Sequence, residues 1–286
     1  MIRRVFALAA TLLLASCGGE PAREAPEPSP ALWEVTGADG EKGWLFGTVH
    51  ALPDGIEWRT PLLTSTLEQA GVLVVEVANM GDADSAQQAF AALASSRNLP
   101  PLLSRVPAAD RPALAAALER ADMTERQFAS TESWAAALLI ANAQRTGEAD
   151  NGVDRTLLAQ GLPAISLESF AGQFAIFDQL AAADQQVLLA ETGEDADPAD
   201  EQAMVEAWAA GDLATLRREI DSGFLTDPEI RAALLVDRNS AWVEQVAPLL
   251  DSDRRPFVAV GAGHLLGPEG LPALFEARGY TVRRIQ

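Results

Sequence analysis

The chain has 286 residues, of which 48% are apolar and 22% charged, with 41 acidic side chains set against 21 Lys and Arg. That apolar content excludes an intrinsically disordered protein, and a net charge of −20 repels phosphate backbones and anionic headgroups, which excludes nucleic acid as a partner. One cysteine and two histidines leave no disulfide framework and no cysteine-rich zinc site. Any histidine chemistry must use His50, His264 or both.

Residues 1–16 read as an export signal. Arg3 and Arg4 precede an apolar stretch at 5–14 that is too short to span a bilayer as a mature helix. The following Leu14-Ala15-Ser16-Cys17 resembles the bacterial lipobox, which implies cleavage before Cys17 and its lipidation; an ordinary secretory signal is the alternative. The proline-rich 17–30 stretch is a tether. The expectation is an exported protein facing the periplasm or exterior. Its only membrane contact is a lipid anchor in the outer or cytoplasmic membrane, with Gly18 favouring the outer. One domain follows over 31–286.

Runs at 32–36 and 44–48, joined by Gly37-Ala38-Asp39-Gly40, predict a β-hairpin. The spacing over 60–70 predicts a helix capped by Gly71, and the β-branched run 72–77 a strand buried on both faces, with Glu76 near its end. Helical periodicity then places helices at 83–96, 107–120, 124–145, 153–160, 169–190, 199–210, 212–222 and 227–250, broken by a short strand at 163–167. A strand at 256–260, a helix at 268–278 and a strand at 280–285 close the chain. The fold class is therefore α/β: a central sheet assembled from both chain ends, with a large helical lobe inserted between them.

Both histidines follow a hydrophobic strand, a glycine and two further residues: Gly47-Thr48-Val49-His50 and Gly261-Ala262-Gly263-His264. A glycine at a strand exit permits a sharp turn, and ligands of open α/β sheets bind beyond the carboxyl ends of the strands. If the strands are parallel neighbours, His50, Glu76 and His264 converge on one crevice. Two imidazoles and a carboxylate suit Zn, Mn, Fe or Co. For Glu76 the competing reading is a buried ion pair, with Arg238 as the partner.

These motifs resemble the TraB/GumN family, which includes the Tiki metalloproteases. The resemblance runs from Leu32-Trp33-Glu34-Val35 and Gly43 to His50, through Glu76, Gly152-Val153-Asp154, Leu167-Glu168, Gln173 and Arg238-Asn239. It ends in Gly261-Ala262-Gly263-His264-Leu265 and Arg278-Gly279-Tyr280. It implies a superfamily shared with erythromycin esterases and haem-binding ChaN-like proteins, an α/β core and a histidine–glutamate site. It also implies, through the Tiki branch, a peptidase dependent on manganese or cobalt.

The functional expectation is a divalent-metal-dependent hydrolase acting on a peptide or small ester, with Mn or Co favoured and Zn allowed. His50, Glu76 and His264 are its ligands or catalytic groups, and Glu168, Gln173, Arg238 and Asn239 support them or contact substrate. The alternatives are a metal-free, esterase-like hydrolase, a haem- or peptide-binding envelope lipoprotein, and an envelope-assembly protein with a vestigial site. Asp154 reads more simply as a helix cap, and Glu168 equally as a cap or a supporting carboxylate. Trp134, Trp208 and Trp242 read as core packing. The glycines at 261, 263 and 267 are misspaced for a dinucleotide turn, and the acidic 195–201 loop lacks the ligand and glycine a calcium loop needs.

Overall fold

The computed structural model describes residues 27–193 and 198–286. The export signal, Cys17 and residues 195–197 of the acidic loop lie outside the described residues.

Six strands form one sheet in the order β4-β3-β5-β2-β1-β6: β1 (Leu32–Thr36), β2 (Lys42–Thr48), β3 (Val72–Val75), β4 (Ala164–Ser166), β5 (Pro256–Gly261) and β6 (Thr281–Arg284). β1 and β2 are the expected hairpin, with Leu32 opposite Phe46 and Thr36 opposite Lys42. β2, β5, β3 and β4 are parallel neighbours, and β6 pairs antiparallel with β1. The β5 strand, near the end of the chain, fills the gap between β2 and β3. Alternate residues of β2, β3 and β5 enter opposite cores: Phe46, Leu73, Phe257 and Ala259 pack on one face, and Leu45, Val74, Val258 and Val260 on the other. Burial on both faces is why these runs are apolar at nearly every position.

Helices α1 (Pro61–Gln69), α2 (Ala83–Leu93), α3 (Arg111–Arg120), α4 (Ser133–Gln144), α5 (Val153–Leu158), α6 (Phe170–Asp178), α7 (Ala182–Glu191), α8 (Pro198–Ala209), α9 (Leu213–Ile220), α10 (Pro228–Arg231), α11 (Asp237–Leu250) and α12 (Leu271–Ala277) complete the fold. Leu114, Phe128, Ile140, Leu189 and Ile230 centre the inserted lobe.

Three helices differ from the sequence expectation. The 124–145 segment breaks into a 3₁₀ turn at Glu125–Phe128 and α4. Between them the backbone is bound elsewhere: Glu132 N–H donates to Ala94 C=O, and Arg105 donates to the carbonyls of Phe128 and Thr131. The 169–190 segment splits into α6 and α7, and the Gln185 side chain caps the carbonyls of Asp178 and Leu180 at the break. The 227–250 segment is continuous but widens to a π-helix at Ala232–Val236 before α11.

Gly71 is not a left-handed cap. The α1 helix ends at Ala70 in extended backbone, φ −67 and ψ 141. The glycine is there because a Cβ on it would stand 2.5 Å from the Arg254 carbonyl oxygen, where the chain enters β3 beside β5. Gly71→Ala should therefore cost about 1–3 kcal/mol of stability through overpacking against backbone, read as a lower urea midpoint with an unchanged slope.

Candidate functional site

Each of the four parallel strands hands over a polar side chain one to three residues past its carboxyl end: His50 after β2, His264 after β5, Glu76 after β3 and Glu168 after β4. Because the four strands are adjacent, these groups stand in a row along one sheet edge. Glu76 and His264 are buried, with relative exposures of 8% and 6%, whereas the His50 side chain is half exposed.

Arg238, in the first turn of α11, joins three of the four. Its Nε donates to Glu168 Oε1 at 2.9 Å, and its Nη2 to Glu168 Oε2 at 2.9 Å and Glu76 Oε2 at 2.7 Å. Its Nη1 donates to the Leu234 carbonyl at 3.3 Å and to His264 Nε2 at 3.1 Å. A guanidinium has five N–H donors, and these five bonds engage all of them. The π-helix supplies the azimuth: each residue turns an α-helix by about 100°, so the wide turn at Ala232–Val236 resets where Arg238 points, and Leu234 inside it accepts one of the bonds. Trp242, one turn on, donates Nε1–H to Glu168 Oε1 at 3.0 Å and lies against His264, ring centroids 4.4 Å apart and planes tilted by 48°.

The remaining Glu76 oxygen, Oε1, accepts the Gly261 N–H at 2.8 Å, and Gln173 Nε2 donates to Oε2 at 3.1 Å. Burial alone would raise the Glu76 carboxyl. The neighbouring His264, the charges of Arg238 and His50, and the Gly261 N–H outweigh it, so the group stays below the usual carboxylate range and ionised.

The two histidines are held in opposite states. Asn239 Nδ2 donates to the carbonyls of His264 and Glu269, which fixes its Oδ1 as acceptor for His264 Nδ1–H at 2.7 Å. His264 is thus the Nδ1–H tautomer with its Nε2 lone pair on Arg238. Burial, with Arg238 adding to it, pushes its pKa down to about 3. His50 Nδ1–H donates at 2.9 Å to Asp154, a carboxylate at the start of α5 that also accepts Thr48 Oγ1 at 2.7 Å and is only 2% exposed. The bond to Asp154 raises His50 to about 9; solvent on the outer edge of the ring screens part of that charge.

Gly261 leaves the space these groups share. A Cβ there would stand 3.3 Å from Glu76 Oε1, 3.6 Å from His264 Cδ2 and 3.8 Å from His50 Nε2. That space is the floor of a cavity of about 450 Å³, walled by apolar side chains of α8 and α9 that include Met204, Trp208, Leu216 and Ile220.

The donor set does not fit a three-ligand divalent ion in this arrangement. Neutral His50 offers Nε2 and Glu76 offers Oε1 to the space at Gly261, but the His264 Nε2 that a third ligand would need is held by the cationic Arg238. Among the described residues, no three His, Cys, Asp or Glu side chains are arranged to hold a metal ion.

Every site residue that the sequence singles out in the described part of the chain lies in this network: His50, Glu76, Glu168, Gln173, Arg238, Asn239 and His264. For Glu76 the arrangement is the ion pair with Arg238. The cap reading of Asp154 is corrected: Gly152 occupies the cap position of α5, and the Asp154 side chain turns inward to His50. Ser169 caps α6, so Glu168 is the supporting carboxylate. Thr48 and the Trp242 indole N–H were not foreseen. A buried threonine between Gly47 and His50 was the available signal for the first.

An α/β sheet with a polar crevice at the carboxyl ends of its parallel strands defines the class of protein. Within that class, residues 31–284 match the model of the TraB/PrgY/gumN family, and the chain belongs to that family. No curated protein and no solved structure matches significantly.

Because the chain has two histidines, ring NMR should resolve each. His50 should titrate near 9 and His264 should stay neutral down to about 3, with Asp154→Asn returning His50 towards its ordinary value of about 6.5. The signs are opposite. The His50–Asp154 bond stabilises the fold fully below pH about 6.5 and is lost as pH rises through about 9. Neutral His264 stabilises above about 6.5 and its contribution is lost as pH falls towards about 3.

Proposed function

We propose that the protein is a hydrolase of a peptide or small ester, working without a bound metal ion. His50 is its base and Glu76 orients the attacking water. The observation supporting this is the space at Gly261, which His50 Nε2 and Glu76 Oε1 both face while Asp154 fixes the His50 ring from behind. A water there can give one hydrogen to Glu76 Oε1 and the other to neutral His50 Nε2. Its oxygen attacks the substrate carbonyl as His50 takes the proton. His50 then returns that proton to the departing oxygen or nitrogen as the acyl bond breaks. Asp154 stabilises the imidazolium formed between the two transfers. Glu76 is a weak base, since its oxygens already accept bonds from Gly261, Arg238 and Gln173. Arg238, itself bonded to His264, holds Glu76 in place. The ion-dependent version implied by the Tiki resemblance requires Arg238 to withdraw from His264 Nε2.

The test is a peptide and ester library offered to chelator-stripped protein, with and without Mn²⁺, Co²⁺ and Zn²⁺. Turnover in the stripped protein, rising with pH towards 9 and falling about 10²–10⁴-fold in His50→Ala, is the expected result. Turnover only with added ion would establish the metal-dependent version. Haem or peptide binding without turnover would favour the binding-protein reading.

We also propose that the chain is exported and lipid-anchored through Cys17, on the strength of the Leu14-Ala15-Ser16-Cys17 sequence and the proline-rich stretch after it. Cys17→Ser should abolish incorporation of labelled fatty acid and move the protein from the membrane to the soluble fraction of the producing cell.

A further inference from the structure

The walls of the cavity carry a charge pattern that the hydrolytic reading does not use. On α8 the side chains facing it are Glu201, Met204, Val205 and Trp208, an i, i+3, i+4, i+7 stripe; on α9 they are Leu216, Glu219 and Ile220, an i, i+3, i+4 stripe. Such stripes ordinarily turn one continuous apolar face to the interior. Here each is interrupted once, and both interruptions are carboxylates.

The two glutamates differ in their partners. Glu201 is fixed: Oε2 accepts Thr146 Oγ1–H at 2.6 Å and Thr146 N–H at 3.1 Å, and Oε1 accepts Gly147 N–H at 3.3 Å. None of these donors is charged, so its negative charge is not neutralised. Glu219 is exposed, and among the described residues its carboxylate has no hydrogen-bond or ion-pair partner. The positive groups on the floor cannot balance them, because His50 is matched by Asp154, and Arg238 by Glu76 and Glu168. The cavity is therefore apolar on its walls and negative in its field.

We propose that the site selects an apolar substrate bearing a positive charge, its ammonium or guanidinium group held at the α8–α9 wall by Glu219 and the field of Glu201. The apolar part packs on Met204, Leu216 and Ile220, and the scissile carbonyl reaches the floor. This rests on the hydrolytic reading for the reaction but not for the binding preference. An apolar wall supplies affinity without discriminating between charges; an unpaired carboxylate at its rim does discriminate, through a charge that salt screens.

The experiment compares octylammonium with octanoate, which share an apolar tail and differ in charge, by titration at pH 7 with the His50 and His264 ring resonances as reporters. Octylammonium should bind at least about tenfold more tightly, a difference of about 1.4 kcal/mol, and added salt should narrow the gap. Glu219→Gln should shrink the preference and Glu219→Lys should reverse it. Asp39→Lys, the same charge change in the exposed β1–β2 turn at the opposite sheet edge, should leave it intact. Equal binding of the two probes, no ring shift with either, or an equal response to Glu219→Lys and Asp39→Lys would overturn the proposal. Protein that prefers octylammonium yet hydrolyses nothing defeats the hydrolytic reading alone. Protein that hydrolyses esters without regard to charge defeats this one alone.

Discussion

The site depends on the saturation of one guanidinium. Arg238 spends all five donors on two carboxylates, one imidazole and one carbonyl, so groups from three strands are tied to one helix at a single point. Two largely buried carboxylates side by side would repel; the shared arginine pairs with both and offsets that repulsion. It also sets His264, which can accept its N–H only through a bare Nε2. Removing the guanidinium would leave two uncompensated charges in the protein interior. The arrangement is consequently rigid at the floor, and His50, half exposed and outside the arginine's reach, is the group left free to meet a ligand.

Around that point the sheet provides alignment. Parallel strands bring their carboxyl ends to one edge, so residues placed just past each strand become neighbours whatever their separation in the chain. The helices play two roles. α11 reaches into the edge with Arg238, Asn239 and Trp242, while α8 and α9 stand back and wall the cavity. Trp208 serves in both, since it lines the cavity and donates its indole N–H to the Gly47 carbonyl at 2.8 Å, bracing the strand that leads to His50.

Much of this was legible in the sequence. The repeated Gly-x-x-His after apolar runs located both histidines, and the β-branched run before Glu76 marked a strand covered on both sides. Those signals are local, and local signals survive in a linear reading. What was not legible depends on direction. Asp154 looks like a first-turn acid, and only the tertiary path shows it turned inward to His50. The choice between ion pair and metal ligand for Glu76 hinged on where a π-turn aims Arg238, and Ala232–Val236 is ordinary helix by composition. The breaks at 129–132 and 179–181 arise where backbone groups bond to distant segments or side chains, which periodicity does not record.

The position of β5 has a consequence for how the protein is made. β2 and β3 do not touch; each pairs with β5, which is synthesised after roughly nine-tenths of the chain. Until it arrives, the nascent protein carries two strands with unsatisfied edges and apolar faces, the kind of surface that associates wrongly. Insertion of Phe257-Val258-Ala259-Val260 would join both halves of the sheet in one event and bring Gly261 and His264 to the others. Folding and assembly of the site are then the same late step. A chain truncated before residue 256 would lack the strand that the rest of the sheet is arranged to receive.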